Sequence, residues 1–525
     1  MNKKIFDTIV IGSGAGGLSS AAHLAREGLN VLLCEKRNEI GGYLNNFSRI
    51  GKSGDKYTFD TGLHYVIGCL EGGRLSASEE AVGQTHRSLK WNMVDPVEIN
   101  RYVYNDFEYS FPMGFENFKN SLLYKFPDAK ETINKSFDIV DDIDQTFQKL
   151  MQITQNIETK SLFGKIAALS RLVPIFPKIL RYTSKRSKEI LSEVSDYRVL
   201  KILESFSGEC GVGLEEGTSI VLLIAKYFSN GAFYPQGGTK PLINLFCDTI
   251  LRNGGQVMKK AGVTSIGKEG DFFKVVTQNR EFFSKTIISN TDAKVLYSDL
   301  LPQEMVPEKV QKKIQNTVPS ASNFYTFVGT DLDLSKYMTS GNVTIFDQNF
   351  FDNKSSPSSS SSSSKIVLNR HFLTSPTLKD PNGGHSTKGK YSLEILSNNC
   401  GFEEWKQWEN SKPYQRPIEY MKKKEEIGMK IIKLIERKLL PNLTSHLDFV
   451  EFATPLSNLH YVSAPNGSMY GPAQTPNQTF RNFYPIETHI PGLYHCGSST
   501  TFAGVSSCLS SGLDAAKKLL GRHKL

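Results

Sequence analysis

Three glycines and one acid near the start of the chain have the types and spacing of a phosphate-binding site. Gly12, Gly14 and Gly17 follow the pattern GxGxxG, and Glu35 comes about 20 residues later. In such a loop the first glycine permits a tight turn, the second lets the backbone approach a pyrophosphate, and the third lets a helix lie against a sheet. A carboxylate at the position of Glu35 can accept the two hydroxyls of a ribose. The pattern predicts a dinucleotide site rather than an unliganded glycine-rich turn.

The residues around this pattern predict the elements that would position it. An apolar, β-branched run over 5–11 predicts a buried strand directly before the glycines. Small residues over 18–25 predict a helix, whose N-terminus offers unpaired N–H groups and a partial positive charge to a phosphate. A second strand over 30–34 then ends at Glu35. The loop therefore has the strand, helix and strand that a dinucleotide site requires.

A second glycine pair, Gly41-Gly42, sharpens the choice of nucleotide. Taken alone, the pair could be an ordinary loop. GxGxxG followed by an acid and then by this pair resembles the FAD-binding oxidoreductases of the amine oxidase and phytoene desaturase superfamily. The resemblance implies FAD as the cofactor. It implies cofactor contacts from Gly12, Gly14, Ala15, Gly16, Gly17, Glu35, Lys36, Gly41 and Gly42.

The segment FDTGLHYVIG over 59–68 is rich in glycine and aromatic residues. It resembles a segment of the retinol saturase and carotenoid isomerase branch of this superfamily, in which the segment passes close to the flavin ring. The resemblance places Thr61, Gly62 and His64 near that ring. His64 and Tyr65 are candidate catalytic residues, because each can exchange a proton. The alternative for His64 is a hydrogen-bonded side chain in a buried loop.

Later segments extend the resemblance to the C-terminal part of the chain. Residues 451–476 match the TPLS-N…Y…P-x-G…YG frame of the same branch. The resemblance also implies a backbone contact to the adenine near Val263 and flavin contacts at Gly497 and Val505. A helix that begins near Val505 would direct its N-terminus at the flavin and stabilise negative charge on it. Phe502-Ala503 and Ser507-Cys508 depart from the family's pattern, which leaves the identity of the substrate open.

The resemblance runs from about residue 5 to 520 and implies an α/β fold. A discontinuous Rossmann-like FAD-binding domain would comprise 1–68, 236–294 and 456–525. A mixed-sheet α+β substrate domain with membrane-facing helices would comprise 69–235 and 295–455. The serine-rich run over 354–365 cannot bury apolar surface, so we expect a disordered surface loop there.

The resemblance implies redox chemistry on a C=C bond of a retinoid- or carotenoid-like polyene. One dinucleotide fingerprint is present, so a bound flavin would carry the hydride and NAD(P)H would act as an external reductant. We first expect a reductase similar to the all-trans-retinol 13,14-reductases. A carotenoid desaturase and a redox-neutral carotenoid cis-trans isomerase are the alternatives, because motifs do not fix the direction of hydride transfer. A more remote alternative is a non-enzymatic prenyl-binding protein of the GDP-dissociation-inhibitor and Rab escort type.

Residues 160–188 contain eight Lys or Arg and no Asp or Glu, interleaved with apolar residues. This composition is typical of a basic amphipathic segment at a membrane surface, and the alternative is a solvated basic face. A membrane contact here would suit an apolar substrate. The net charge of +9 is modest for 525 residues and no dense basic run is present, so we do not expect a nucleic-acid partner.

Cysteine usage and the ends of the chain suggest a reducing compartment. Seven cysteines are widely spaced without a CxxC pair, so the sequence predicts neither a metal site nor a disulfide framework. The first predicted strand begins near residue 5, and no run of about 18 apolar residues occurs. We expect no signal peptide or transmembrane helix, and a peripheral protein on the cytoplasmic face of a membrane such as the endoplasmic reticulum. His523-Lys524-Leu525 only distantly resembles a peroxisomal address.

Overall fold

The computed structural model describes residues 4–69, 73–83, 88–154, 161–207, 211–352 and 366–523. The predicted serine-rich loop over 354–365 lies outside these residues, as does Lys160 of the basic segment.

The first sheet contains the predicted strand-loop-helix-strand unit at its centre. Its strands run in the order β10-β11-β12-β1-β2-β9, and β18 also pairs with β12. Apolar, β-branched sequences such as IFDTIVI in β1 and VLLC in β2 suit these buried, parallel positions. The strands are β1 (Ile5–Ile11), β2 (Val31–Cys34), β9 (Gln256–Met258), β10 (Val263–Glu269), β11 (Phe272–Thr277), β12 (Glu281–Ser289) and β18 (Leu493–His495).

Three helices pack on this sheet: α1 (Ala15–Arg26), α10 (Lys240–Arg252) and α15 (Val505–His523). Helix α1 contacts both of the others. The crossing of α1 and α15 is close, since a Cβ at Gly512 would lie 2.1 Å from the carbonyl oxygen of Gly16. The N-terminal and C-terminal segments are thus joined by direct helix packing beside the glycine loop.

The second sheet has the order β17-β13-β16-β15-β14-β6-β7 and is mostly antiparallel, with β14 parallel to β6. It pairs strands from distant parts of the sequence, and its core holds the fully buried Trp405. The strands are β6 (Asn100–Val103), β7 (Glu108–Phe111), β13 (Asn323–Thr330), β14 (Asn342–Phe346), β15 (Arg370–Thr374), β16 (Tyr391–Asn398) and β17 (Leu447–Ala453).

The remaining strands form two short pairs. Strands β3 (Asn46–Ile50) and β4 (Lys56–Asp60) make a hairpin, and β5 (Trp91–Met93) pairs with β8 (Phe233–Pro235).

Most other helices lie over the edge of the second sheet formed by β6 and β7, around a core rich in aromatic residues. They are α3 (Phe115–Lys125), α4 (Lys130–Thr154), α6 (Phe176–Ser184), α7 (Ser187–Ile190), α8 (Tyr197–Ser207) and α9 (Ile220–Phe228), and α5 (Leu162–Ser170) packs on α4. The others are α2 (Arg74–Ala81), α11 (Glu308–Gln315), α12 (Pro376–Lys379), α13 (Ile418–Lys438) and α14 (Pro455–Val462). Among the residues described, no helix combines the length and apolar character needed to span a bilayer.

The predicted α/β fold class is confirmed. The first sheet has a parallel part (β9, β2, β1, β12 and β18), antiparallel strands β10 and β11, and flanking helices, and the second, mixed sheet has its own helical layer. The domain boundaries themselves remain a prediction.

Candidate functional site

A cavity of about 1790 Å³ joins the two sheets. It begins at the carboxyl ends of β1, β2 and β12, which is where ligands bind in parallel α/β sheets. It continues to helices α4 and α9, whose lining residues at the far end are Asp144, Gln148, Met151, Ile220, Ile224, Tyr227 and Phe228. Ligand sites commonly measure about 300–1000 Å³. The cavity therefore has room for a dinucleotide and for a second, apolar ligand.

The glycine loop is shaped by Gly12, Gly17 and the side chain of Asn290. Gly12 has a φ of +91°, a left-handed conformation that favours glycine. A Cβ at Gly17 would lie 1.9 Å from the carbonyl oxygen of Gly12. A Cβ at Gly14 or Gly16 would lie 2.7 or 2.6 Å from the Asn290 amide. Only glycines allow this loop to close against Asn290 and present its backbone to a ligand.

The carboxylate of Glu35 organises the loop from the end of β2. Its Oε2 accepts hydrogen bonds from the Ser13 N–H at 3.0 Å and the Ser13 hydroxyl at 2.5 Å, and its Oε1 accepts from the Arg37 N–H at 2.8 Å. The Ser13 hydroxyl oxygen in turn accepts the Gly41 N–H at 3.1 Å. Glu35 thus links the GxGxxG loop to the second glycine pair, in addition to its predicted contact with a ribose.

Lys36 and Arg37 follow Glu35 and differ in their contacts. The Lys36 ammonium donates to the Ser463 hydroxyl and to the His460 carbonyl, and burial together with the charge of Arg37 lowers the pKa of Lys36 to about 8. The Arg37 guanidinium stacks on Tyr461 at 4.5 Å. Its buried Nε and Nη2 have no hydrogen-bond partner among the described residues. An anionic ligand in the cavity would satisfy these donors, because unpaired buried donors are costly.

These features fit FAD. The loop at the end of β1, the acid at the end of β2 and the unsatisfied Arg37 donors are the groups that a ribose and a pyrophosphate require.

His64 and Tyr65 lie farther along the same cavity. His64 Nδ1 is 2.8 Å from Oε2 of the fully buried Glu394. Tyr65 packs edge-to-face on Phe228 with ring centroids 5.0 Å apart. The His64 carbonyl oxygen accepts a hydrogen bond from the Lys379 ammonium at 2.7 Å. His64 is therefore both a cavity wall residue and a partner of a buried carboxylate.

The C-terminal segment forms another wall of the cavity. Gly497 adopts a φ of +91° after β18, and Val505 is the first residue of α15. Phe502, which stands where the family's pattern differs, packs edge-to-face against Phe480 and Phe483 with centroids 5.1 and 5.0 Å away. Phe502 thus places a bulky aromatic side chain on this wall.

Comparison with known proteins identifies the family. The pattern of the family described as flavin containing amine oxidoreductase matches residues 15–520. The chain belongs to this family. It is similar to an all-trans-retinol 13,14-reductase of Danio rerio, with 26% identity across 98% of this chain and 86% of that protein. It is also similar to the chloroplastic prolycopene isomerase of Arabidopsis thaliana, with 27% identity across 95% of this chain and 79% of that protein.

A solved oxidoreductase from Methanosarcina mazei has the same fold. Its TM-score is 0.62 at 18% identity, with 97% of this chain and 99% of that chain covered. Membership of the family makes the protein a flavin-dependent oxidoreductase, and the predicted FAD is confirmed as the cofactor type. The two curated relatives fit the branch that the sequence resembles.

The structure brings nearly all of the predicted site residues to the one cavity, although their individual roles remain predictions. Gly17 is the exception, because it packs α1 against the loop and does not line the cavity. The lining residues are Gly12, Gly14, Ala15, Gly16, Glu35, Lys36, Gly41, Gly42, Thr61, Gly62, His64, Tyr65, Val263, Gly497 and Val505.

Arg37 and Glu394 are residues of the site that the sequence patterns did not indicate. Arg37 could have been found from its position two residues after the acid that ends β2. Glu394 has only a weak signal, namely a carboxylate in a strand that is otherwise apolar or neutral. Within the described part of the chain, no group of three His, Cys, Asp or Glu side chains is arranged to hold a metal ion.

Proposed function

We propose that the protein saturates a C=C bond of a retinoid-like polyene with hydride from FAD. The observation that carries this proposal is the continuity of the cavity. It runs from the dinucleotide loop past His64 and Tyr65 to an end formed by α4 and α9. Met151, Ile220, Ile224 and Phe228 make most of this end apolar, and Asp144 and Gln148 are its polar residues. A long apolar ligand at that end would have one of its double bonds beside the flavin. The similarity to retinol 13,14-reductases supports the same substrate class.

The chain's own residues would bind, orient and protect the reactants. Flavin, when bound, supplies hydride transfer at its ring. Ile220, Ile224 and Phe228 give the cavity an apolar surface that favours a polyene over water. His64 would donate the proton that saturation also requires, and Tyr65 is the second candidate donor. The N-terminus of α15, at Val505, would stabilise negative charge near it.

The similarity to prolycopene isomerases favours a second candidate, a redox-neutral cis-trans isomerisation of a carotenoid. A carotenoid desaturase would use the same site with the opposite direction of hydride transfer. An anaerobic experiment separates the three reactions. The purified holoenzyme is reduced with dithionite and mixed with all-trans-retinol or a carotene, and the visible spectrum is followed.

Reoxidation of the flavin with loss of polyene absorbance is the result expected for the reductase. A flavin that stays reduced while the polyene changes geometry would indicate the isomerase. Bleaching of the oxidised enzyme by a more saturated polyene would indicate the desaturase. A colourless protein that cannot be reconstituted with FAD would contradict all three and would favour a prenyl-binding protein. Repeating the reduction with NADH or NADPH in place of dithionite tests the proposed external reductant.

We also propose that helices α5 and α6 contact an anionic membrane. Several apolar side chains on them and on the turn between them are exposed. Phe163 of α5 is 84% exposed, Val173 of the turn 71% and Phe176 of α6 59%. Both helices pack on α4, whose Gln148 and Met151 line the far end of the cavity. A polyene dissolved in the bilayer could therefore enter next to the contact. The cytoplasmic face of the endoplasmic reticulum stays our prediction for this membrane.

Replacing Lys165, Arg171, Arg181 and Lys185 with Gln tests the membrane contact. A basic residue near an anionic surface contributes about 1 kcal/mol, so four substitutions should weaken vesicle binding by about 10³-fold at low salt. Sedimentation with phosphatidylcholine–phosphatidylserine vesicles measures the change. A matched variant in which the exposed Lys422, Lys430, Lys433 and Arg437 of α13 are changed to Gln should bind as the unaltered protein does. Equal binding by both variants would favour a merely solvated basic face.

A further inference from the structure

A buried carboxylate stands behind His64. Glu394 Oε2 lies 2.8 Å from His64 Nδ1, and the Glu394 side chain is fully buried. Glu394 belongs to β16, and Leu396 and Asn398 on the same face of that strand line the cavity. The imidazole therefore stands between the cavity and the carboxyl group.

The second oxygen of Glu394 is fixed by the backbone. Glu394 Oε1 accepts the Asp60 N–H at 2.5 Å, which leaves Oε2 directed at His64. The Asp60 carboxylate accepts the hydroxyl hydrogen of Tyr234. A carboxyl group this close to Nδ1 limits the orientations that the His64 ring can take.

Five titratable or charged residues surround Glu394. They are His64, Asp60, Lys379, Tyr234 and Tyr325. Burial raises the pKa of Glu394 to about 8, although the Asp60 N–H and the Lys379 charge oppose the rise. Burial and the charge of Glu394 raise the pKa of Asp60 to about 7.

We propose that Glu394 is a positioning residue that orients His64 and returns a proton to it across their 2.8 Å contact. This inference rests on the proposed function. Saturation of one C=C bond breaks its π bond and forms two C–H bonds. The first new bond uses the hydride that reduced flavin supplies when bound, and the second uses one proton from the chain. His64 gives its Nε2 proton to the carbon and takes the Glu394 proton at Nδ1, so the imidazole stays neutral. After the product leaves, water in the cavity protonates His64 at Nε2 and the Nδ1 proton returns to Glu394, which restores the starting tautomer. A nicotinamide reductant restores the two electrons.

The substitution Glu394→Gln keeps the shape of the side chain and removes its transferable proton. We expect the variant to retain FAD and substrate binding, since Glu394 does not line the cavity. General acid catalysis contributes about 10²–10⁴-fold. Single-turnover oxidation of the dithionite-reduced holoenzyme by all-trans-retinol should therefore slow by at least about 10²-fold, and the dependence of its rate on pH above neutrality should disappear. Glu394→Asp should recover part of the rate, and Glu419→Gln, at an exposed position of α13, should leave it unchanged.

A measurement without substrate tests the proton itself. Infrared difference spectra of the oxidised holoenzyme between pH 6 and pH 10 should contain a protonated carboxylic acid band that titrates. Because the pKa of Asp60 is also raised, to about 7, a second band is expected in this range, and Glu394→Gln should remove one of the two. If the unaltered enzyme shows no such band, or if Glu394→Gln keeps the unaltered rate and pH profile, the proposal is wrong.

The two proposals can fail separately. If no polyene oxidises the reduced enzyme, the proposed function fails, and the infrared titration still decides whether Glu394 holds a proton. If Glu394→Gln does not fold, the infrared band of the unaltered enzyme and the rate of Glu394→Asp decide the matter.

Discussion

Replacing Glu35 tests the assembly of the FAD site most directly. The Glu35 carboxylate accepts three hydrogen bonds, two from Ser13 and one from the Arg37 N–H. Glu35→Ala removes all three and releases the Ser13 hydroxyl, which accepts the Gly41 N–H. The substitution should therefore loosen both glycine segments and delete the predicted contact with the ribose.

The expected magnitude follows from these contacts. A hydrogen bond to a charged group contributes about 1.5–3 kcal/mol. Losing the equivalent of two such bonds in the FAD complex would cost about 3–6 kcal/mol, or roughly 10²–10⁴-fold in affinity for FAD. Glu35→Gln preserves the shape of the side chain and should fall between Glu35→Ala and the unaltered protein.

The assay is the ratio of flavin to protein after gel filtration, followed by titration of the flavin-free protein with FAD. Glu27→Ala is the matched control, because Glu27 is exposed at the end of α1 and surface substitutions change stability by about 0.5 kcal/mol or less. Urea unfolding of each flavin-free variant separates a folding defect from lost affinity. An unchanged flavin content and affinity in a folded Glu35→Ala would refute this role of Glu35.

Three further predictions concern the same site. The pKa values of Asp60 and Glu394 are raised in the folded protein, so the folded state binds more protons than the unfolded chain. The contribution of these two groups to the free energy of unfolding is therefore fully present below about pH 4. It is lost as the pH rises through 7 and 8. Urea unfolding at pH 5 and pH 8 should show this fall in stability, and an equally steep fall in Glu394→Gln would contradict it. Gly17→Ala places a Cβ 1.9 Å from the Gly12 carbonyl oxygen, so it should lower the free energy of unfolding by about 1–3 kcal/mol and reduce the flavin content. The control Gly267→Ala has open space around its Cβ and should keep both the stability and the flavin. Thermal unfolding and the flavin content measure the two effects. Arg37→Gln should weaken FAD binding by about tenfold or more, because two buried nitrogens of the Arg37 guanidinium lack hydrogen-bond partners among the described residues. For the same reason the flavin-free variant should be at least as stable as the unaltered flavin-free protein. Equal affinity for FAD in the two proteins would exclude a contact between Arg37 and the ligand.

The sequence was most informative where a function depends on neighbouring residues. The turn at Gly12, the helix after it and the acid at Glu35 lie within one short stretch, so their spacing alone predicted the strand, loop and helix that the structure contains. The apolar character of β1 and β2 likewise predicted buried parallel strands. Local rules of this kind hold because backbone conformation and strand burial are decided within a few residues.

The sequence was least informative where partners are distant along the chain. Glu394 and Asp60 are 334 residues apart, and neither has a motif that pairs them. The second sheet likewise pairs β14 with β6 across the whole helical region. Such pairings depend on the packing of complete layers, which single-sequence patterns do not specify.

The sequence by itself therefore determined the dinucleotide loop, the FAD-binding class and the general α/β fold. Only the tertiary structure placed Glu394 behind His64 and the unpaired donors of Arg37 at the cavity. It also packed the exposed helices α5 and α6 on α4, which lines the far end of the cavity. The physical reason is that a glycine turn is encoded by the backbone freedom of its own residues. The proton content of a buried carboxyl depends instead on which distant charges and how much apolar material the fold packs around it.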